Sequence, residues 1–215
     1  MRPAHRFLTF LVRIFFFLLY HPFAWTYDLV AWLVSLGRWK SWVQTILPEI
    51  SGPQVLELGH GPGHLQQTLR EQGYIVYGID RSKQMGRLAS RRLRKVSGAA
   101  PPLTRAKAED LPYRTGAFHD VVATFPSEYI LSPATIASIR RVLAPRGKLL
   151  ILPVAWITGE RTLDRAAAWL FRATGQAGEW DSAFSNALTL FGFEVEEKRL
   201  KLGTSEVMLL IAKPM

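Results

Sequence analysis

Residues 55–65 read VLELGHGPGHL: an apolar run, an acid, then three glycines at alternate positions. The run Val55 to Leu58 has the length and composition of a buried strand, and the residues after Gly63 read as a helix. Glycine has no Cβ, so a strand, glycine turn and helix in succession let backbone close directly on a ligand. The next strand candidate, Tyr74 to Ile79, ends at Asp80. An acid at the tip of the second strand is placed to take the hydroxyls of a ribose. Together the two features imply an α/β domain for a nucleoside cofactor. A turn that uses glycine for geometry alone is the competing reading, and the separation from Asp80 disfavours it.

A dinucleotide turn reads G-x-G-x-x-G and aims a helix N-terminus at a pyrophosphate. Here the pattern is G-x-G-x-G, with Glu57 two residues before the first glycine. This resembles motif I of the class I S-adenosylmethionine (SAM) methyltransferases. The resemblance implies SAM rather than NAD as cofactor. SAM has an ammonium and a sulfonium and no phosphate, so a nearby carboxylate such as Glu57 makes electrostatic sense. Residues 107–122, KAEDLPYRTGAFHDVV, resemble the family pattern D-A-E-x-L-P-F…S-F-D-x-V. Where the family's first Asp reads the adenine, this chain has Lys107, which cannot accept a hydrogen bond. The adenine contact then falls to the backbone of Ala108 and Glu109. Residues 141–151, RVLAPRGKLLI, resemble the family's L-x-P-G-G-x-L segment, with Arg146 in place of the first glycine. The string Tyr27-Asp28-Leu29, then Ser35 to Arg38, then Trp42, is similar to the segment before motif I in the ubiquinone/menaquinone biosynthesis methyltransferases, where it helps cover SAM. The alternative is a pair of amphipathic helices whose tryptophans fill core.

The resemblance covers about residues 50–215 and implies the fold: a Rossmann-like class I methyltransferase, with a seven-stranded, mostly parallel sheet, a C-terminal antiparallel hairpin and N-terminal helices. We divide the chain into residues 1–48, apolar and aromatic helices, and residues 49–215, the methyltransferase domain. Helices are expected over 25–36, 38–47, 64–72, 82–96, 133–143, 161–174 and up to 191. Strands are expected over 55–58, 74–79, 103–106, 121–125, 149–154, 193–202 and 207–212. The implied cofactor contacts are Glu57, Gly59, His60, Gly61, Gly63, Asp80, Arg81, Ala108, Glu109 and Phe125. In open α/β sheets ligands sit at the carboxyl ends of the strands. Residues 125–129, FPSEY, follow the fourth strand and should face the methyl group and its acceptor. Pro126, Ser127, Tyr129 and, after the fifth strand, Trp156 are candidate pocket residues.

Methyl transfer from SAM is an in-line displacement on a good leaving group, so alignment and water exclusion supply most of the effect. Nitrogen and oxygen acceptors also call for a base, for which Glu128 and Tyr129 are the candidates. His60 and His64 lie in the glycine turn, where a hydrogen-bonding or packing role outweighs a catalytic one. No Asn-Pro-Pro-Tyr or Asp-Pro-Pro-Tyr follows the fourth strand, which disfavours nucleobase or glutamine amino groups as acceptors. There are no cysteines, which excludes disulfides and thiolate chemistry. His, Asp and Glu show no metal-ligand spacing, so no metal is expected.

Residues 7–20, FLTFLVRIFFFLLY, are too few to span a bilayer and are interrupted by Arg13. A signal peptide would need a small-residue cleavage site, and His21-Pro22-Phe23 follows instead. Arg2, Arg6, Thr9 and Arg13 form one narrow stripe on a helix that is otherwise apolar. That is the pattern of a helix in a membrane interface; packing on the chain's own core or in a dimer is the alternative. The net charge is +10, which favours anionic partners without choosing among them. Much of it lies between Arg81 and Lys95, a run of seven cations with no acid. The run reads as a solvated helix face or as an anion-binding patch.

Three functions follow. The first is a methyltransferase for a small lipophilic acceptor, quinone-type or phospholipid, at a membrane surface. Residues 1–20 would then touch anionic lipid, and the protein would be cytoplasmic and peripheral on the inner face of the membrane. The second is a methyltransferase for a soluble small molecule or RNA, the RNA version weakened because no known RNA module is appended. The third is a SAM-binding module without catalysis, kept open by Lys107 and Arg146.

Overall fold

In the computed structural model the described residues are 26–99, 101–173 and 183–215. The arginine-striped segment 1–20 and the loop expected at 175–180 lie outside them. Short apolar runs bounded by Gly and Pro give the strands β1 (Gln54–Leu58), β2 (Ile75–Ile79), β3 (Leu103–Thr104), β4 (Phe118–Thr124) and β5 (Leu143–Ile157). The last two, β6 (Phe193–Leu202) and β7 (Ser205–Pro214), are the two arms of a hairpin. The helices are α1 (Tyr27–Ser35), α2 (Trp39–Gln44), α3 (His64–Glu71), α4 (Lys83–Ser97), α5 (Pro133–Val142), α6 (Thr162–Ala173) and α7 (Ala183–Leu190).

The seven strands make one sheet in the order β3-β2-β1-β4-β5-β7-β6. Pairing is parallel from β3 to β5 and antiparallel at β5–β7 and β7–β6. The expected mostly parallel sheet with a C-terminal hairpin is therefore what forms. Both faces are covered, and each strand divides its apolar residues between them with a period of two. Leu56, Leu58, Val121, Ala123, Leu149 and Ile151 join α5 and α7 in one core layer. Val55, Val122, Leu150 and Leu152 join α1, α2 and α3 in the other.

Several boundaries differ from the sequence reading, for identifiable reasons. The fourth strand starts earlier and stops at Thr124, because Phe125 turns to a left-handed φ of 47°. The fifth is far longer than 149–154, because it begins as a bulge: Phe118 pairs with Leu143, but Asp120 pairs with Lys148. Inside that excursion Arg146 has φ 63°. It accepts the conformation that the family assigns to a glycine, at a cost of ~1–2 kcal/mol. At the neighbouring Gly147 a Cβ would come within 2.8 Å of the Ala144 carbonyl oxygen. The third strand is only two residues, and the helix expected over 38–47 gives way to a 3₁₀ turn at Leu47–Glu49, with Pro48 in its first turn.

Candidate functional site

The glycine turn sits at the carboxyl end of β1, and backbone bonds set its shape. The amides of Gly59 and His60 both donate to the Ile79 carbonyl, at 2.8 and 3.1 Å, which ties the turn to the end of β2. Gly59, Gly61 and Gly63 have φ of 66°, 52° and 85°, values that L side chains rarely adopt. Their roles differ. A Cβ on Gly63 would meet the Ala89 Cβ at 2.9 Å, so this glycine lets α3 lie against α4. A Cβ on Gly59 would come within 3.1 Å of the Tyr129 hydroxyl. A Cβ on Gly61 meets nothing within 4 Å. Gly61 is the open lip of the turn, where a ligand can reach the backbone.

Asp80 locks the opposite wall. Its Oδ2 accepts from the Gly61 amide at 2.9 Å and its Oδ1 from the Ser82 amide at 2.7 Å. Ser82 in turn caps α4 by accepting from the Met85 amide. The carboxylate thus joins the glycine turn, the end of β2 and the start of α4. His60 is buried, with Nδ1 2.7 Å from the Gly61 carbonyl oxygen. Burial pushes its pKa down, against the nearby Asp80 charge. A neutral ring that props the turn is the role this placement supports.

Glu57 is the electrostatic anomaly. It lies on β1, on the face of Val55, and is 2 % exposed. Its Oε2 is buried without a hydrogen-bond partner, and so is Oε1 of the neighbouring Gln66. Burial pushes the Glu57 carboxyl up to about 8, the Gln66 side chain opposes the shift, and the Asp80 charge adds to it. An orphaned buried carboxyl oxygen beside an open glycine lip suits a ligand that brings positive charge.

The remaining predicted residues divide. Ala108 is buried beneath the loop after β3, while Lys107 and Glu109 are exposed on it. Arg81 is exposed, and its carbonyl oxygen accepts from Arg105 Nε at 3.0 Å. Phe125 donates its amide to the Leu152 carbonyl at 2.7 Å, and its ring stacks on Trp39 with centroids 4.3 Å apart. Its side chain therefore joins the sheet end to α2. Pro126 and Ser127 lead into a 3₁₀ turn, Glu128–Leu131. Within it Glu128 is exposed, and the Tyr129 hydroxyl reaches the glycine turn as described above. Trp156 lies near the end of β5 under the Arg199 guanidinium, 4.7 Å from the ring centroid. The structure thus gathers Glu57, the three glycines, His60, Asp80 and Tyr129 at one turn, and sets Trp156 on the antiparallel side of the sheet.

Four contacts escaped the sequence reading. Asp120, wholly buried, accepts from the Ser51 and Gly52 amides at 2.9 and 3.0 Å and clamps the lead into β1. Asp28 on α1 binds His64 Nε2 at 2.8 Å and Arg92 at 2.5 Å, and Arg92 also donates to the Pro62 carbonyl of the turn. Trp42 Nε1 donates to Ser205 Oγ at 2.8 Å, which pins α2 to β7. Arg38 pairs with the buried Asp164 at 2.5 Å and joins the α1–α2 corner to α6. The acids were visible in the sequence; their partners lie up to 126 residues away, and local patterning does not show such pairings.

Residues 56–151 match the family model described as a methyltransferase domain. Among curated proteins, the ubiquinone/menaquinone biosynthesis C-methyltransferase UbiE of Blochmanniella floridana is 31% identical over 143 residues, covering 62% of this chain and 56% of that protein. The chain spans about half the length of the curated relatives it matches. Among solved structures, a SAM-dependent methyltransferase from Aquifex aeolicus has a TM-score of 0.59 at 18% identity, covering 80% of this chain and 89% of that one. The magnesium protoporphyrin IX methyltransferase (ChlM) from Synechocystis PCC 6803 with bound SAH has a TM-score of 0.54 at 19% identity, covering 81% of this chain and 80% of that one. At these identities the structural matches speak for the fold.

Proposed function

We propose that this chain, whose residues 56–151 match a methyltransferase domain, is a class I SAM-dependent methyltransferase that transfers the SAM methyl group to a small lipophilic acceptor, quinone-type or phospholipid, presented at a membrane surface. The observation that carries the cofactor half is the Glu57–Gly61–Asp80 arrangement: an orphaned buried carboxyl oxygen, an open lip and a fixed second carboxylate on one turn. SAM, when bound there, supplies a methyl on a sulfonium that leaves readily. The residues that would hold it are the glycine turn, Glu57 against positive charge, Asp80 at the ribose, and the Ala108–Glu109 backbone at the adenine.

The rest of the task falls to this chain's own side chains. The 3₁₀ turn after β4 brings Tyr129 over the glycine turn, where its hydroxyl can orient an acceptor or take its proton. Glu128, exposed one residue earlier, is the alternative base. Trp39, Trp42 and Phe125 pack together beside the strand ends and give that end of the molecule an apolar wall that excludes water. The lipophilic acceptor is supported by this wall, by the apolar and aromatic character of residues 7–20, and by the quinone substrates in the names of the curated relatives.

The test is to incubate the protein with methyl-labelled SAM and a cell lysate, then separate lipid extract, RNA, protein and polar metabolites. Label in the lipid extract is the expected result. Label in RNA or the polar fraction overturns the acceptor class, and no label despite SAM binding overturns catalysis.

A further inference from the structure

Two exposed surfaces lie beside the glycine turn. Helix α1 buries Ala31, Val34 and Ser35 and turns Leu29, Trp32, Leu33 and Leu36 outward at 58, 59, 50 and 36 % exposure. Their spacing of three, one and three residues makes one continuous apolar strip, which is costly to leave in water. The Trp32 indole is seated on Gly37, where a Cβ would lie 3.0 Å from Nε1. The ring is thus held on the outer side by the helix's own C-terminal turn.

The second surface is on α4. Lys83, Arg87, Arg91 and Arg94 recur every three or four residues, are all exposed, and form one basic face. None of them forms an ion pair among the described residues. The helices that carry them are in contact. Arg92, next to Arg91 on α4, pairs at 2.5 Å with Asp28, which lies one turn before Trp32 on α1.

A strip of leucines and a tryptophan beside unpaired guanidinium groups has a specific physical complement. Aromatic and leucine side chains are stable at the acyl boundary of a bilayer, and cations at the level of its phosphates. RNA would satisfy the cations and leave the apolar strip in water. We propose that α1 and α4 together form a docking face for an anionic phospholipid bilayer. The face holds the glycine turn at the lipid surface through the Asp28–His64–Arg92 contacts. The proposal rests on the lipophilic-acceptor reading for its purpose, while its evidence is the geometry of the two helices. Among the described residues no helix is long and apolar enough to cross a membrane, so the face lies on the surface.

The full chain should sediment with vesicles of phosphatidylcholine and phosphatidylglycerol, far less with phosphatidylcholine alone, and less as salt is raised. Reversing three charges, Arg87→Glu with Arg91→Glu and Arg94→Glu, should weaken binding to the anionic vesicles at least ~100-fold, since each surface cation contributes about a fivefold factor. SAM binding should be retained, which shows the variant folded. Because the chain has no cysteine, Leu33→Cys can carry an environment-sensitive fluorophore. Its emission should shift to the blue when anionic vesicles are added, and the same probe at Glu194→Cys on β6 should not respond.

Any of the following results overturns the proposal. The wild type fails to bind anionic vesicles, or the triple variant binds them as the wild type does. The Leu33 probe stays unchanged while the protein sediments, or it is already blue-shifted without vesicles because residues 1–25 or a second copy cover the strip. A triple variant that loses RNA binding but keeps vesicle binding assigns the basic face to RNA and also overturns it. Vesicle binding with no label in the lipid extract leaves the docking face standing and overturns the acceptor reading instead.

Discussion

The parallel half of the sheet and the helical corner beside it are built by different means. Around β1 and β2 the site is set by backbone: three left-handed glycines, two amides on the Ile79 carbonyl, and Asp80 bridging Gly61 and Ser82. At the corner formed by α1, α2 and α6 the same task falls to large side chains and distant ion pairs, among them Trp42 on Ser205 and Arg38 on Asp164. The first half is dense in local signals and holds backbone conformations that L side chains rarely adopt. The second depends on packing, which many sequences satisfy, so acceptor choice can vary there while the cofactor turn stays the same.

Substitutions can break this contrast in order of size. Trp42→Ala should be the most damaging to stability. The side chain is fully buried and packs near Trp39 and Phe125. Its loss should cost about 3–5 kcal/mol in denaturant unfolding, much of it from the cavity. Gly61→Arg should do the reverse. It should lower SAM affinity at least ~100-fold in a calorimetric titration, about 2.7 kcal/mol. Stability should fall by only ~1–2 kcal/mol for the left-handed backbone, because the position opens on empty space.

Glu57→Gln should act through pH. Burial raises the folded carboxyl to about 8 from an ordinary value of 4.5. Between those values the folded protein holds a proton that the unfolded chain has released. The stability of the SAM-free protein is therefore fully present below about pH 4.5 and declines as pH rises towards 8, by up to ~1.4 kcal/mol per unit. Glu57→Gln should flatten that decline in melts taken across the range, and should weaken SAM binding by removing the carboxylate. The smallest effect belongs to Asp28→Asn. The His64 hydrogen bond, with the charges of His64 and Arg92, holds the Asp28 carboxyl below its ordinary value despite partial burial. Its contribution is thus present above the unfolded value of 3.8 and is lost as pH falls through the lower folded value. The pair is half exposed, so unfolding should change by under ~1 kcal/mol. SAM affinity should fall a few-fold through the loosened turn.

Legibility in the sequence follows the same division. The glycine turn, Asp80 and the C-terminal hairpin could be read directly, because each is a local demand on backbone conformation or a period-two pattern. The lengthened β5 could not, since its bulge at Arg146 depends on pairing with Phe118 and Asp120. Nor could the clamp from Asp120 to Ser51 and Gly52, although the acid itself stood in a recognisable pattern. Phe125 stands after the fourth strand, as the sequence shows, and its ring packs against Trp39. A residue's place at a strand tip is legible, but the direction of its side chain depends on which helix packs there.

The most direct measurement is a calorimetric titration of the full chain with SAM, run beside the Gly61→Arg variant and beside NADH as ligand. Saturable binding of one SAM per chain, lost in the variant and absent for NADH, is the predicted result. Equal SAM binding by wild type and variant, or preference for NADH, would contradict the assignment of the Glu57–Gly61–Asp80 turn to SAM.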